Sequence, residues 1–108
     1  MNSYKGFAVE HALGSVGQGW ATIIKELWAK KSEGVRVTGI KEKYGSLRIY
    51  FDAPTREEYD AFELLAEAAE FQSETTCEFC GKPGVIREGG WLKCTCEEHK
   101  DWMTIKRT

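Results

Sequence analysis

Apolar residues recur along the chain with two different periods. Over residues 18–31, Trp20, Ile23, Ile24, Leu27 and Trp28 fall at i, i+3, i+4, i+7 and i+8, the stripe of an amphipathic helix. Ser15 and Gln18 are placed for a capping box at its start, although Gly17 and Gly19 blur that start. Lys30 and Lys31 suit its end, with Gly34 as a stop. The period then changes. Residues 46–51 alternate, with Leu47, Ile49 and Phe51 on one face of a strand. Residues 35–40 are β-branched, but their apolar phase slips between Val37 and Ile40, which predicts a bulge at Gly39. The "EKYG" between the two runs reads as a hairpin loop with Gly45 left-handed. Residues 55–74 return to the helical period through Tyr59, Phe62, Leu65, Ala66 and Ala69. Thr55 and Glu58 match a capping box there. Residues 1–16 carry no clear pattern.

Helix, hairpin, helix predicts an α+β fold: two amphipathic helices on a small antiparallel hairpin, followed by a C-terminal zinc-ribbon-like module. The expected parts are residues 1–74 and 75–108, packed as one compact unit. At 108 residues the core is modest, and chains of this size often carry a staple.

The cysteines supply a candidate for that staple. All four lie in residues 77–96. Cys77 and Cys80 form C-x2-C-G, and Cys96 and His99 form C-x2-H. Two short pairs of thiolate and imidazole donors at this separation match a tetrahedral structural zinc site. Gly81 lets the chain fold back after the second ligand, and "VIREGGWLK" can make two strands turning at Gly89–Gly90. Cys94 competes with His99 for the fourth position, but its C-x-C bite with Cys96 is tighter. One structural Zn2+ held by Cys77, Cys80, Cys96 and His99 is the favoured reading. Four protein ligands leave no position for a catalytic water.

Charge is uneven: residues 1–54 carry net +3 and residues 55–108 net −5, for −2 in total. That balance argues against a general nucleic-acid binder. Lys41, Lys43 and Arg48 on the hairpin can contact phosphates with Tyr44 and Tyr50 stacking on bases, or simply keep a strand edge solvated. On the second helix Asp60, Glu63, Glu67, Glu70 and Glu74 make one acidic stripe, which repels phosphate and suits a basic protein surface. No P-loop, G-x-G-x-x-G or G-x-S-x-G is present, and His11 is followed by Ala12 and Leu13 rather than the H-x-E of zinc deaminases. A non-enzyme is expected. No apolar run reaches the length of a membrane span, and the first residues lack a signal-peptide pattern, so a cytoplasmic setting is expected.

Together, "GW" opening a helix, "KEKYGSLRIYF", "TCEFCGKPG", "GGWLKCTC" and "EEH" resemble a family of small phage and prophage proteins. These pair a K-E-K-(F/Y)-G-x-L-R hairpin with a C-terminal C-x2-C-G…C-x2-H ribbon. The resemblance covers about residues 19–99 and implies the same four ligands. It also implies a phage-encoded accessory protein in the host cytoplasm, monomeric or weakly dimeric. Such a protein would bind and inhibit a host defence protein, with an anti-CRISPR acting on a type II effector nuclease as the specific expectation. The acidic residues, with Lys41, Lys43 and Arg48, would be its contact surface. The alternatives are a nucleic-acid-binding regulator and a virion or assembly adaptor.

Overall fold

A computed structural model describes residues 8–87 and 92–100. The element order is α1 (Val9–Leu13), a 3-10 turn (Gln18–Trp20), α2 (Ala21–Lys30), β1 (Arg36–Lys43), β2 (Ser46–Asp52), α3 (Arg56–Ser73), β3 (Val85–Arg87), β4 (Lys93–Thr95) and a second 3-10 turn (Glu97–His99). Strands β1 and β2 form one antiparallel hairpin and β3 and β4 another. The molecule is thus a small α+β domain with helices packed on hairpins. No helix among the described residues is long and apolar enough to cross a membrane.

The first hairpin closes through a two-residue turn. Lys43 pairs with Ser46, and both Tyr44 (φ 57°) and Gly45 (φ 81°) are left-handed, as a type I′ turn requires. The loop is therefore shorter than "EKYG", and β1 runs three residues beyond the expected Ile40. Gly45 meets this turn's demand without a Cβ penalty; Tyr44 does not. Glu42 supports the turn by accepting a hydrogen bond from Gly45 N–H (2.8 Å). The bulge falls where the apolar phase slips: Val37 pairs with Phe51 and Gly39 with Tyr50, leaving Thr38 extra. The extra residue lets Val37 and Ile40 both face inward, 1% and 5% exposed.

Helix α3 packs against β2, and α2 packs against α3. Trp20, Ile24, Leu47 and Phe62 are among the largest fully buried side chains. Phe51 stacks edge-on against Phe62 (4.6 Å between ring centres) and also meets Tyr59 (4.7 Å). At the start of α3, Thr55 accepts from Glu58 N–H (3.1 Å) and donates to the Glu58 carboxylate (3.1 Å), which is the expected cap.

The proposed cap on α2 does not form. Ser15 instead donates to the His11 carbonyl at the end of α1 (2.9 Å), and the chain enters α2 through the Gln18–Trp20 turn with no side-chain cap. Nor does Gly34 stop α2. The helix already ends at Lys30, because Lys31 is extended (φ −69°, ψ 137°). Lys31 then reaches forward to the Val35 carbonyl (2.8 Å).

Candidate metal centre

The second half of the chain folds around a short knuckle. Cys77 N–H donates to the Lys82 carbonyl (2.7 Å), and Gly81 N–H returns to the Cys77 carbonyl (2.9 Å). Gly81 is left-handed (φ 86°), so the fold-back after Cys80 uses the freedom that only glycine has cheaply. Glu78 N–H pairs with the Cys94 carbonyl (3.0 Å), which ties the knuckle to β4. Strand β4 delivers Cys96, and the 3-10 turn after it swings His99 back over Cys96. The two predicted ribbon strands are present as Val85–Arg87 and Lys93–Thr95. Their turn at Gly89–Gly90 lies outside the described residues.

Cys77, Cys80, Cys96 and His99 converge, with one donor atom from each within 4.8 Å of all the others. Nδ1 of His99 lies 3.2 Å from Cys96 Sγ and 3.6 Å from Cys77 Sγ, and Cys80 Sγ lies 3.5 Å from Cys96 Sγ. A tetrahedral ion with bonds of about 2.3 Å to sulfur and 2.0 Å to nitrogen spaces its ligands roughly 3.5–3.8 Å apart. The cluster fits such an ion, and His99 faces it through Nδ1. None of the four cysteines is disulfide-bonded.

The four sulfurs differ electrostatically. Burial opposes ionisation of Cys77, but the backbone N–H groups of Cys96, Phe79 and Cys80 outweigh it and lower its pKa. Burial opposes Cys96 too, and contact with His99 and Cys80 brings it down. Beside Cys80 the Lys82 N–H favours the anion; burial and the neighbouring sulfurs outweigh it and push the thiol up. Cys94 stands apart. Burial pushes its thiol up to about 11, and its Sγ donates to the Glu74 carbonyl (3.3 Å). The tight C-x-C bite is therefore not the geometry seen. Cys94 lies within β4 and is fully buried in the core cluster, whereas Cys96, one residue past the strand's end, joins Cys77, Cys80 and His99.

The Cys3His cluster is docked on the start of α2. Gly19 N–H donates to the Glu78 carbonyl (2.7 Å), Gly17 N–H to the Glu78 carboxylate (3.1 Å), and the Trp20 indole N–H to the Thr76 carbonyl (2.8 Å). A Cβ on Gly19 would stand 2.1 Å from the Cys77 carbonyl oxygen, so the knuckle backbone occupies the space a side chain would need. A buried ion cluster bolts the same region to the first hairpin. Lys93 Nζ bridges Glu42 (3.0 Å) and Glu78 (3.1 Å), and the Lys93 and Glu78 side chains are only 12% and 6% exposed. Nothing in residue spacing marked Gly17, Gly19, Glu42, Glu78 or Lys93 as a group. The sole hint was a run of small residues before Trp20.

The residues expected to contact a partner divide. Glu70 turns toward β2 and accepts from Ile49 N–H (2.9 Å), and Glu74 accepts from the Ser46 hydroxyl (3.3 Å). Ser73 accepts from Leu47 N–H (2.9 Å) between them. These side chains cover the outer edge of β2, whose N–H groups meet no third strand among the described residues. Asp60, Glu63 and Glu67 remain exposed on α3, with Asp60 paired to Arg56 (3.1 Å). Lys41, Lys43 and Arg48 sit on β1 and β2. Lys41 lies over the Tyr50 ring (5.7 Å) and Lys43 over Tyr44 (5.5 Å), while Arg48 Nε is buried without a hydrogen-bond partner.

Comparison with protein-family profiles, with curated proteins and with solved structures returned no match.

Proposed function

We propose that this protein is a Zn2+-stapled, non-catalytic binding protein that acts stoichiometrically on a protein partner. The observation that carries the reading is the outward acidic flank of α3. Asp60, Glu63 and Glu67 project from a helix held rigidly by the core and by the β2 edge. The metal is structural in this reading, since three thiolates and one imidazole fill a tetrahedral ion's positions. The phage and prophage resemblance supplies the biological setting: inhibition of a host defence protein in the host cytoplasm, with a type II CRISPR effector nuclease as the specific candidate.

The test is DNA cleavage by such a nuclease in the presence of the zinc-loaded protein, alongside a pull-down from host lysate. Inhibition saturating near one equivalent is expected, and Glu63→Lys with Glu67→Lys should abolish it while the melting temperature is unchanged. Glu70 is left alone in that variant because the fold uses it. Unimpaired cleavage at tenfold excess removes the nuclease; a discrete, nuclease-resistant partner in the pull-down would keep the binding function and rename the target.

A second reading has its own observation. Lys41, Lys43 and Arg48 share the face of the hairpin that carries Tyr50, with Tyr44 at its tip. As a nucleic-acid binder through these three cations, the protein would show a log–log salt slope of roughly −2 to −3. Alanine at all three would abolish binding.

A further inference from the structure

Helix α3 carries a second apolar stripe that none of the other described elements packs against. Phe62, Ala66 and Ala69 face the core. Leu64 and Phe71 point the other way and are 69% and 73% exposed. Ala61 and Ala68 are exposed beside them. The four residues fall at spacings of 3, 4 and 3, which is the a/d rhythm of a helix–helix seam. They span about 15 Å, or three turns. Ala68 also borders the shallow groove between α2 and α3, about 70 Å³, where Ile23, Leu27 and Leu65 lie. The small residues let a neighbouring backbone approach, and the large ones act as knobs.

The flank of this seam names its occupant. Asp60 stands four residues before Leu64, and Glu67 four residues before Phe71, so each large side chain has a carboxylate beside it on the helix surface. In an antiparallel pair of α3 helices like flanks meet, which would set these carboxylates against their own copies. A partner helix with Lys or Arg on the facing edge complements them.

We propose that α3 docks an amphipathic helix from the partner, with apolar residues at heptad spacing and a basic flank. The seam made by Leu64, Ala68 and Phe71 beside Asp60 and Glu67 is the site. This deepens the protein-binding function proposed above and rests on it, but it is tested without the nuclease.

The probe is a 21-residue capped peptide with Leu at a and d and Lys at e and g. Two controls accompany it: the same composition scrambled to remove the apolar stripe, and the Leu pattern with Glu in place of Lys. Binding of each fluorescein-labelled peptide to the zinc-loaded full chain is read by anisotropy in 0.15 M KCl. The Leu/Lys peptide should bind at least tenfold more tightly than either control. Leu64→Ser with Phe71→Ser should weaken it at least tenfold, and Glu67→Gln several-fold, with thermal unfolding unchanged. Equal binding of the scrambled peptide would show charge attraction alone and overturn the proposal. So would an unaffected Leu64→Ser/Phe71→Ser variant, or sedimentation showing that the seam is already covered by a second copy. If the peptide binds as expected but no nuclease is inhibited, the seam stands and the host target is wrong.

Discussion

Replacing Gly19 with alanine should uncouple the metal knuckle from the helical part of the molecule. Gly19 has no left-handed backbone, so in open space alanine would be tolerated and even favoured by roughly 0.4–1 kcal/mol through the unfolded chain. Here the sign reverses. The new Cβ would meet the Cys77 carbonyl oxygen at 2.1 Å, the Glu78 carbonyl carbon at 2.6 Å and Gly81 N at 2.6 Å. All three are backbone atoms of the knuckle, so no side chain can swing aside. Relieving the contact means moving the knuckle away from the Gly17–Trp20 turn, which overpacks or opens a fitted contact at about 1–3 kcal/mol. That movement also lengthens the Gly19–Glu78 and Trp20–Thr76 hydrogen bonds, each worth about 1 kcal/mol net. Together the loss is about 3–5 kcal/mol, a large part of the stability of a small domain. The melting temperature should fall by roughly 15 °C or more. Gly14→Ala is the matched control, because its Cβ meets nothing closer than 3.7 Å and should change stability by no more than about 0.5 kcal/mol. The assay is urea unfolding of the zinc-loaded proteins followed by tryptophan fluorescence, with zinc affinity read by competition against a chromogenic chelator. A Gly19→Ala protein within about 0.5 kcal/mol of the parent, with unchanged zinc affinity, would falsify the docking argument.

Four further outcomes are expected. Cys94→Ala should keep one zinc per chain by elemental analysis, whereas Cys80→Ser and His99→Ala should each weaken binding by tenfold or more; loss of zinc from Cys94→Ala would restore the all-cysteine site. Ser73→Ala strips the acceptor from the buried Leu47 N–H and should cost about 1–3 kcal/mol, measured by denaturant titration. Lys93→Met leaves the Glu42 and Glu78 carboxylates buried without their cation and should cost roughly 3 kcal/mol near neutral pH. Burial opposes the Lys93 charge, but Glu42 and Glu78 outweigh it and raise its pKa. Its contribution is therefore present below pH 10.5 and lost as pH rises through the higher folded value, so the gap between parent and variant should narrow in strongly alkaline urea titrations. Chelating the metal with EDTA should lower the melting temperature and red-shift the emission attributable to buried Trp20, because Thr76, its indole partner, sits directly before the first ligand.

The elements that could be read from residue order are those whose cause is local. Helix α3 follows from a cap and a stripe within one segment, and its ends match the expectation to a residue. The bulge at Gly39 shows as a slip in alternation. The convergent donor quartet shows as two pairs, each pair held within one turn of chain. The same logic failed at the start of α2. Ser15 and Gln18 have the spacing of a cap, but Gly17 and Gly19 answer to Glu78 and Cys77, with Glu78 61 positions beyond Gly17.

The acidic stripe marks the boundary most clearly. Helical spacing puts Asp60, Glu63, Glu67, Glu70 and Glu74 along one side of α3, and that much is a property of 3.6 residues per turn. It says nothing about what that side meets. Tertiary packing lays the C-terminal half of the stripe along the open edge of β2, where unpaired N–H groups take Glu70 and Ser73 as acceptors. In the N-terminal half Tyr59 and Phe62 still meet Phe51 of β2, but Asp60, Glu63 and Glu67 face solvent beside Leu64. Likewise, Lys93, Glu42 and Glu78 are unremarkable charges in order, and become one buried cluster only because the metal knuckle folds onto the hairpin. Periodicity, capping and ligand spacing are set by neighbours in the chain. Burial of charge, closeness of backbones and the freedom of a side chain to meet a partner are set by which elements come together.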